Sequence, residues 1–135
     1  MNTADTFEPL LQALCIWREA RDQSDDAKRA VLHVILNRAA SSFRGTTPAE
    51  VVQWPYQFSS FNRTDPNASK LPNPKQQGDW KAWLACCAVV DEPGPDPTGG
   101  ALMYHSYPLD SPEWPAWATP EKLTAQIGPF RFYRA

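Results

Sequence analysis

The stretch Cys15-Ile16-Trp17-Arg18-Glu19-Ala20-Arg21 sets a carboxylate between two arginines, at the end of an apolar run that extends from Ala13 to Trp17. A helix that is apolar on every side is a buried helix, so the end of this one is expected inside the protein or at the floor of a cleft. Packing on Cys15 and Ile16, one turn back, and the negative end of the helix dipole favour a protonated acid. Two adjacent guanidinium groups favour the carboxylate. The sequence leaves that balance open, yet it supplies the ingredients of a general acid. The competing reading is a surface glutamate in an ion pair with Arg18 or Arg21.

Working outward, the first helix is expected from Thr6 to Arg21, with Leu10, Leu11, Leu14 and Trp17 as its stripe and Pro9 tolerated in the first turn. Ser24 is a good N-cap for a second helix, Asp25 to Ser41, in which Ala27, Val31, Val34 and Ile35 recur at helical spacing. Thr47-Pro48-Ala49-Glu50 opens a short helix through Val52. From Trp54 to Gly78 the chain has no steady period and reads as a long loop. A third long helix, Asp79 to Asp91, carries Trp80, Trp83, Leu84, Cys87 and Val90 on one face. Ala101 to Tyr107 and Phe130 to Tyr133 then have strand character, with a helical turn expected at Glu121 to Ala125. The pattern is that of an α+β protein, mainly helical, with a small β-element in its C-terminal third.

At 135 residues the chain is expected to form a single domain over residues 1–135. No apolar run approaches the roughly 20 residues of a membrane span. The N-terminus, Met1 to Asp5, has no basic segment before an apolar core, so synthesis in the cytoplasm without a signal peptide is expected. A net charge of −2 with scattered Lys and Arg gives no reason to expect nucleic acid as a partner, and a monomer is expected. Cys15, Cys86 and Cys87 read as buried thiols, not as a disulfide framework.

The chemistry-bearing residues narrow the field. His33 sits among aliphatics and reads as a core or boundary histidine. With His105 it offers no recognisable zinc spacing, so no metal and no cofactor are expected. The cysteines lack basic neighbours, and no Gly-x-Ser-x-Gly elbow is present. The aromatics are more informative, because Trp54, Tyr56, Phe58, Phe61, Tyr104, Tyr107, Trp114 and Trp117 fall mainly in loops and strand ends. Those that the core does not absorb can wall a groove in which Gln57, Ser59, Asn62 and Thr98 bond polar groups of a ligand.

Cys15 to Arg21, Ala30 to Arg38 with its Ile-Leu-Asn-Arg, Gln57-Phe58-Ser59, Asp96 to Ala101, Tyr104-His105, and Ile127-Gly128 followed by Arg131 to Arg134 together resemble the catalytic domain of the SleB/CwlJ cell-wall hydrolases. They stand in family order over nearly the whole chain. The resemblance implies a lysozyme-like domain that cuts peptidoglycan glycan strands between N-acetylmuramic acid and N-acetylglucosamine, with Glu19 as catalytic acid/base. It also implies lytic transglycosylase chemistry ending in a 1,6-anhydro sugar. The alternatives are a hydrolytic muramidase using Asp25 or Asp26, a metal-dependent amidase, and a glycan-binding module if Glu19 proves fully exposed. Lack of a signal peptide resembles a phage endolysin acting on the cell wall, in the host periplasm, after release. Two departures from the family pattern stand out: Asp22-Gln23 follows Glu-Ala-Arg where Gly-Glu is usual, and Pro129-Phe130 replaces a polar pair. The expected site is a trough in which Gln57, Phe58 and Ser59 face Glu19, Tyr104 and His105 form another wall, and Thr98 lies near the rim.

Overall fold

A computed structural model describes residues 2–55, 57–62 and 64–135, with Ser59 defined by its backbone alone. Tyr56 of the expected groove therefore lies outside the described residues. The apolar run forms the second half of α1, Phe7–Ala20, where Ala13, Cys15, Ile16, Trp17 and Ala20 are buried. The expected stripe is corrected at its start: Leu10 is 50% exposed, and Leu11 and Leu14 only partly reach the core. The reason is that neighbouring elements enclose the C-terminal half of α1 and leave its first turns against solvent.

Helix α2, Asp25–Ala40, is the most enclosed element. Ser24 caps it as expected, its hydroxyl accepting the Ala27 N–H at 3.1 Å. Burial extends beyond the expected stripe to Ala30, Leu32, Lys28, His33 and Arg38, because α2 packs on α1, on the short α3 (Pro48–Gln53), on α4 (Gln77–Asp91) and on the sheet. Each buried polar chain finds a carbonyl: Lys28 Nζ donates to Gln23 at 2.6 Å, His33 Nε2 to Pro93 at 3.1 Å, and Arg38 Nε to Leu102 at 2.6 Å. His33 is thus the boundary histidine that its neighbours implied.

The described residues of the 54–76 segment are irregular apart from single 3₁₀ turns at Ser59–Phe61 and Pro66–Ser69. In α4 the buried face is rotated from the expected one, with Cys86 and Val89 inside, Ala82, Trp83 and Val90 partly covered, and Leu84 54% exposed. All three cysteines are free thiols. Burial pushes the Cys15 thiol well above its ordinary value and the Cys86 thiol up to about 12, so neither is a ready nucleophile.

Three antiparallel strands follow: β1 (Met103–His105), β2 (Leu123–Ile127) and β3 (Phe130–Tyr133), in the order β1-β3-β2. The expected helical turn at Glu121 to Ala125 is a correction. Only Pro120–Lys122 makes a 3₁₀ turn, and Leu123 onward pairs with β3, a non-local bond ladder that overrides weak local preference. Gly128, at φ +58°, opens the two-residue turn that closes this hairpin. No helix among the described residues is long and apolar enough to cross a membrane.

One glycine holds a turn that matters for the site. Gly45 has φ +136°, and a Cβ there would stand 2.8 Å from the Val51 backbone nitrogen. Gly45→Ala is expected to cost about 2 kcal/mol in urea unfolding. A loss below about 0.5 kcal/mol would contradict this geometry.

Candidate active site

A cleft of about 560 Å³ opens where the last turn of α1 meets β1. Arg18 and Glu19 come from α1, Arg38 from α2, Tyr104 and His105 from β1, and Arg44, Gln57, Tyr107 and Trp117 from loops. Glu19 is half-buried. Its Oε1 accepts a 2.6 Å hydrogen bond from the Tyr104 hydroxyl.

The arginines flanking Glu19 in sequence do not pair with it. Arg18 stacks 4.8 Å over Phe61 and donates to the Lys70 and Ser60 carbonyls at 3.1 and 3.4 Å. Arg21 lies 4.6 Å over Trp17 and donates to the carbonyls of Trp17 and Arg18 and to Asn67, each at 3.4 Å. The ion pairs among the described residues are Asp25–Lys28 and Asp26–Arg29, so the surface ion-pair reading of Glu19 is overturned. Asp25 and Asp26 are exposed at the start of α2 and do not line the cleft, which leaves Glu19 as its only carboxylate among the described residues.

Tyr104 is held by three rings: Phe130 edge-on at 5.6 Å, Phe132 stacked at 5.8 Å and Phe58 at 6.2 Å. Burial, reinforced by the charge of Glu19, pushes its phenol well above the ordinary value, so it stays a donor. His105 is buried beside it. The Tyr107 N–H donates to His105 Nδ1 at 3.0 Å, so Nδ1 carries no proton, and Nε2–H donates to the Tyr133 hydroxyl at 3.1 Å. Stacking on Tyr133 and Tyr107 makes this imidazole a spacer of the aromatic wall.

Of the residues expected here, Gln57, Tyr104 and His105 line the cleft with Glu19. Two are corrected. Phe58 is 1% exposed and packs beneath Tyr104 and Arg38, so it supports the wall without lining it. Thr98 is fully buried in an Asx turn: its N–H and hydroxyl donate to Asp96 Oδ1 at 2.7 and 2.6 Å, and its oxygen accepts the Ala101 N–H. The Ser59 side chain lies outside the described residues. Sequence reasoning missed Arg38 and Arg44 as cleft residues. Arg38 stood within the quoted Ile-Leu-Asn-Arg and was legible to that extent, whereas Arg44 carries no local signal.

The family comparison covers most of the chain. The sequence profile described as Cell Wall Hydrolase matches residues 22–133. The chain belongs to the cell wall hydrolase family. The matched span begins just after the Glu-Ala-Arg segment, and two solved structures extend the likeness across it. This chain is similar to the catalytic domain of the Bacillus cereus SleB protein, with 28% identity, a TM-score of 0.64, and coverage of 94% of this chain and 89% of that one. It is also similar to the catalytic domain of the germination-specific lytic transglycosylase SleB from Bacillus anthracis, with 26% identity, a TM-score of 0.66, and coverage of 99% and 100%. No curated protein sequence matches it closely. The SleB/CwlJ resemblance, the mainly helical α+β fold and a peptidoglycan-degrading activity are thereby shown.

Two outcomes follow from the geometry. Tyr104→Phe removes one hydroxyl whose partner is Glu19, and is expected to lower kcat at least about tenfold while shifting Tm by no more than a few degrees. Turbidity assays and thermal melts check both halves. Burial, then the charge of Arg131, lowers the His105 pKa below its ordinary 6.5, so the unfolded chain binds the proton more readily. His105 therefore contributes stability that is complete above pH 6.5 and falls on acidification through the folded-state pKa. His105→Gln is expected to flatten the stability profile below pH 6.5, as read from urea midpoints at several pH values.

Proposed function

We propose that this protein is a lytic transglycosylase that cleaves between N-acetylmuramic acid and N-acetylglucosamine with Glu19 as its single catalytic acid/base. The observation that carries this reading is Glu19 itself: it is the one carboxylate on the cleft among the described residues, and its Oε1 is held by Tyr104. Protonated Glu19 donates to the glycosidic oxygen as the C1–O bond breaks. The resulting carboxylate takes the proton of the muramoyl 6-hydroxyl, whose oxygen bonds to C1 and closes the 1,6-anhydro ring. Glu19 is protonated again at the end, so the cycle needs neither water nor a second carboxylate, unlike the two-carboxylate glycosidase scheme. Tyr104 fixes one carboxylate oxygen and leaves Oε2, which has no partner among the described residues, to face the sugar. Gln57 and the Tyr107 and Trp117 rings offer the polar anchor and flat walls that a glycan strand uses.

The decisive experiment is mass spectrometry of muropeptides released from purified sacculi. Anhydro-muramic ends are expected. Reducing muramic ends would replace this reading with a hydrolytic muramidase, and free stem peptides would replace it with an amidase. Glu19→Gln keeps the side-chain shape but cannot donate and recover a proton, so at least a hundredfold loss of lysis is expected. Retention of more than about a tenth of wild-type activity would remove Glu19 from its role.

A further inference from the structure

The chain carries a net charge of −2, yet its cleft is lined by three guanidinium groups, Arg18, Arg38 and Arg44, against the single carboxylate of Glu19. Arg18 is engaged by carbonyls and Phe61. The other two form an unusual pair. Arg38 Nη2 and Arg44 Nη1 approach the same sulfur, Met103 Sδ, at 3.7 and 3.9 Å, and both guanidinium groups pack on the Phe43 ring, at 5.8 and 4.7 Å. No acidic side chain among the described residues forms an ion pair with either. Like charges held beside a weak, neutral acceptor repel each other, a cost that an arriving anion would remove.

Both groups have donors to spare. Arg38 is 3% exposed, and its Nη1 has no hydrogen-bond partner. Arg44 is half-buried, and its bonds to Gln57 Oε1 and to Met103 are both made by Nη1, so Nε and Nη2 are unengaged among the described residues. The backbone is also arranged for this. Ser42 and Arg44 adopt φ of +53° and +59°, the left-handed region that non-glycine residues rarely enter, and Gly45 follows at +136°. Strain of this kind concentrates at ligand clamps, where surrounding contacts enforce it. Here Phe43, Gln57 and the packing of Gly45 on Val51 hold the Arg44 head at the cleft.

We infer that Arg44, backed by the buried charge of Arg38, is a carboxylate-binding subsite that recognises an acidic substituent near the muramoyl residue, borne either by the lactyl ether or by the attached peptide. The inference rests on the cleft being the glycan site, as proposed above. Planar, bidentate recognition of carboxylates is what a guanidinium does best, and in a partly desolvated cleft such a contact contributes to substrate binding more than to the bond-breaking step. Arg44 is thus a specificity residue, and its loss should appear in KM.

The test compares native sacculi with sacculi whose carboxylates have been converted to neutral methylamides by carbodiimide and methylamine. For the wild-type protein, amidation is expected to raise the apparent KM at least about tenfold with kcat within about twofold. Arg44→Gln is expected to show the raised KM already on native sacculi and no further rise on amidated ones. Arg44→Lys, which keeps the charge, is expected to recover part of the affinity. Glycan stripped of peptide, with free lactyl carboxylates, separates the sources: a low KM there assigns the anion to the lactyl group, and a high one to the peptide. Indifference of the wild-type protein to amidation would overturn the subsite, as would an Arg44→Gln KM that exceeds the wild-type KM by the same factor on amidated sacculi as on native ones. The amidation arm uses wild-type protein, so it does not depend on how the variants fold. Glu19→Gln reads the reaction independently: an inactive Glu19→Gln with a wild-type protein indifferent to amidation defeats the subsite alone, whereas an active Glu19→Gln defeats the reaction proposal.

Discussion

Two neighbouring side chains at the C-terminal end of α2 tie the sheet to the helices, and the site exists because they do. Asn37 donates to Asp96 and to the Ala101 carbonyl at 2.9 and 3.0 Å, while Arg38 donates to the Leu102 carbonyl at 2.6 Å. The segment entering β1 is thereby anchored residue by residue to a helix that is itself buried on nearly every side. That anchoring carries Tyr104 to the end of α1, where its hydroxyl meets a carboxylate 85 residues away in the chain. Asp96 serves the same end. Burial works against its ionisation, but hydrogen bonds from Thr98, Asn37 and Gly100 outweigh it and hold its pKa below the ordinary value.

The electrostatics of the cleft follow from where each arginine finds acceptors. Arg18 and Arg21 turn to backbone carbonyls and aromatic faces, so Glu19 keeps a neutral phenol, not a guanidinium, as its direct partner. A neutral donor orients the carboxyl without holding it in an ion pair, which suits the acid/base role proposed for it. Burial lowers Arg38 to about 10, with Arg44 adding to the effect, and it remains charged at neutral pH. Positive charge is therefore gathered at the cleft of a chain whose overall charge is slightly negative.

The four α-helices, two of their caps and the burial of the end of α1 are legible in the sequence alone. These are local matters: Ser24 and Thr47 cap through residues three positions away, and an apolar run that leaves no polar face must be enclosed. The sequence also singled out Glu19 at the end of that run, with a surface ion pair as the competing reading, and the family resemblance supplied the acid/base role. What that acid touches depends on how distant segments pack. The partner of Glu19, the directions of Arg18 and Arg21, the convergence of Arg38 and Arg44 on Met103, and the withdrawal of Thr98 and Phe58 from the cleft are set by contacts between segments far apart in the chain. Likewise β2 is a strand because β3 lies beside it, and α4 buries Cys86 and Val89 because of where α1 and α2 stand. Periodicity and capping report the bonds a segment makes with itself; a cleft is made by bonds between segments, and those have no local signature.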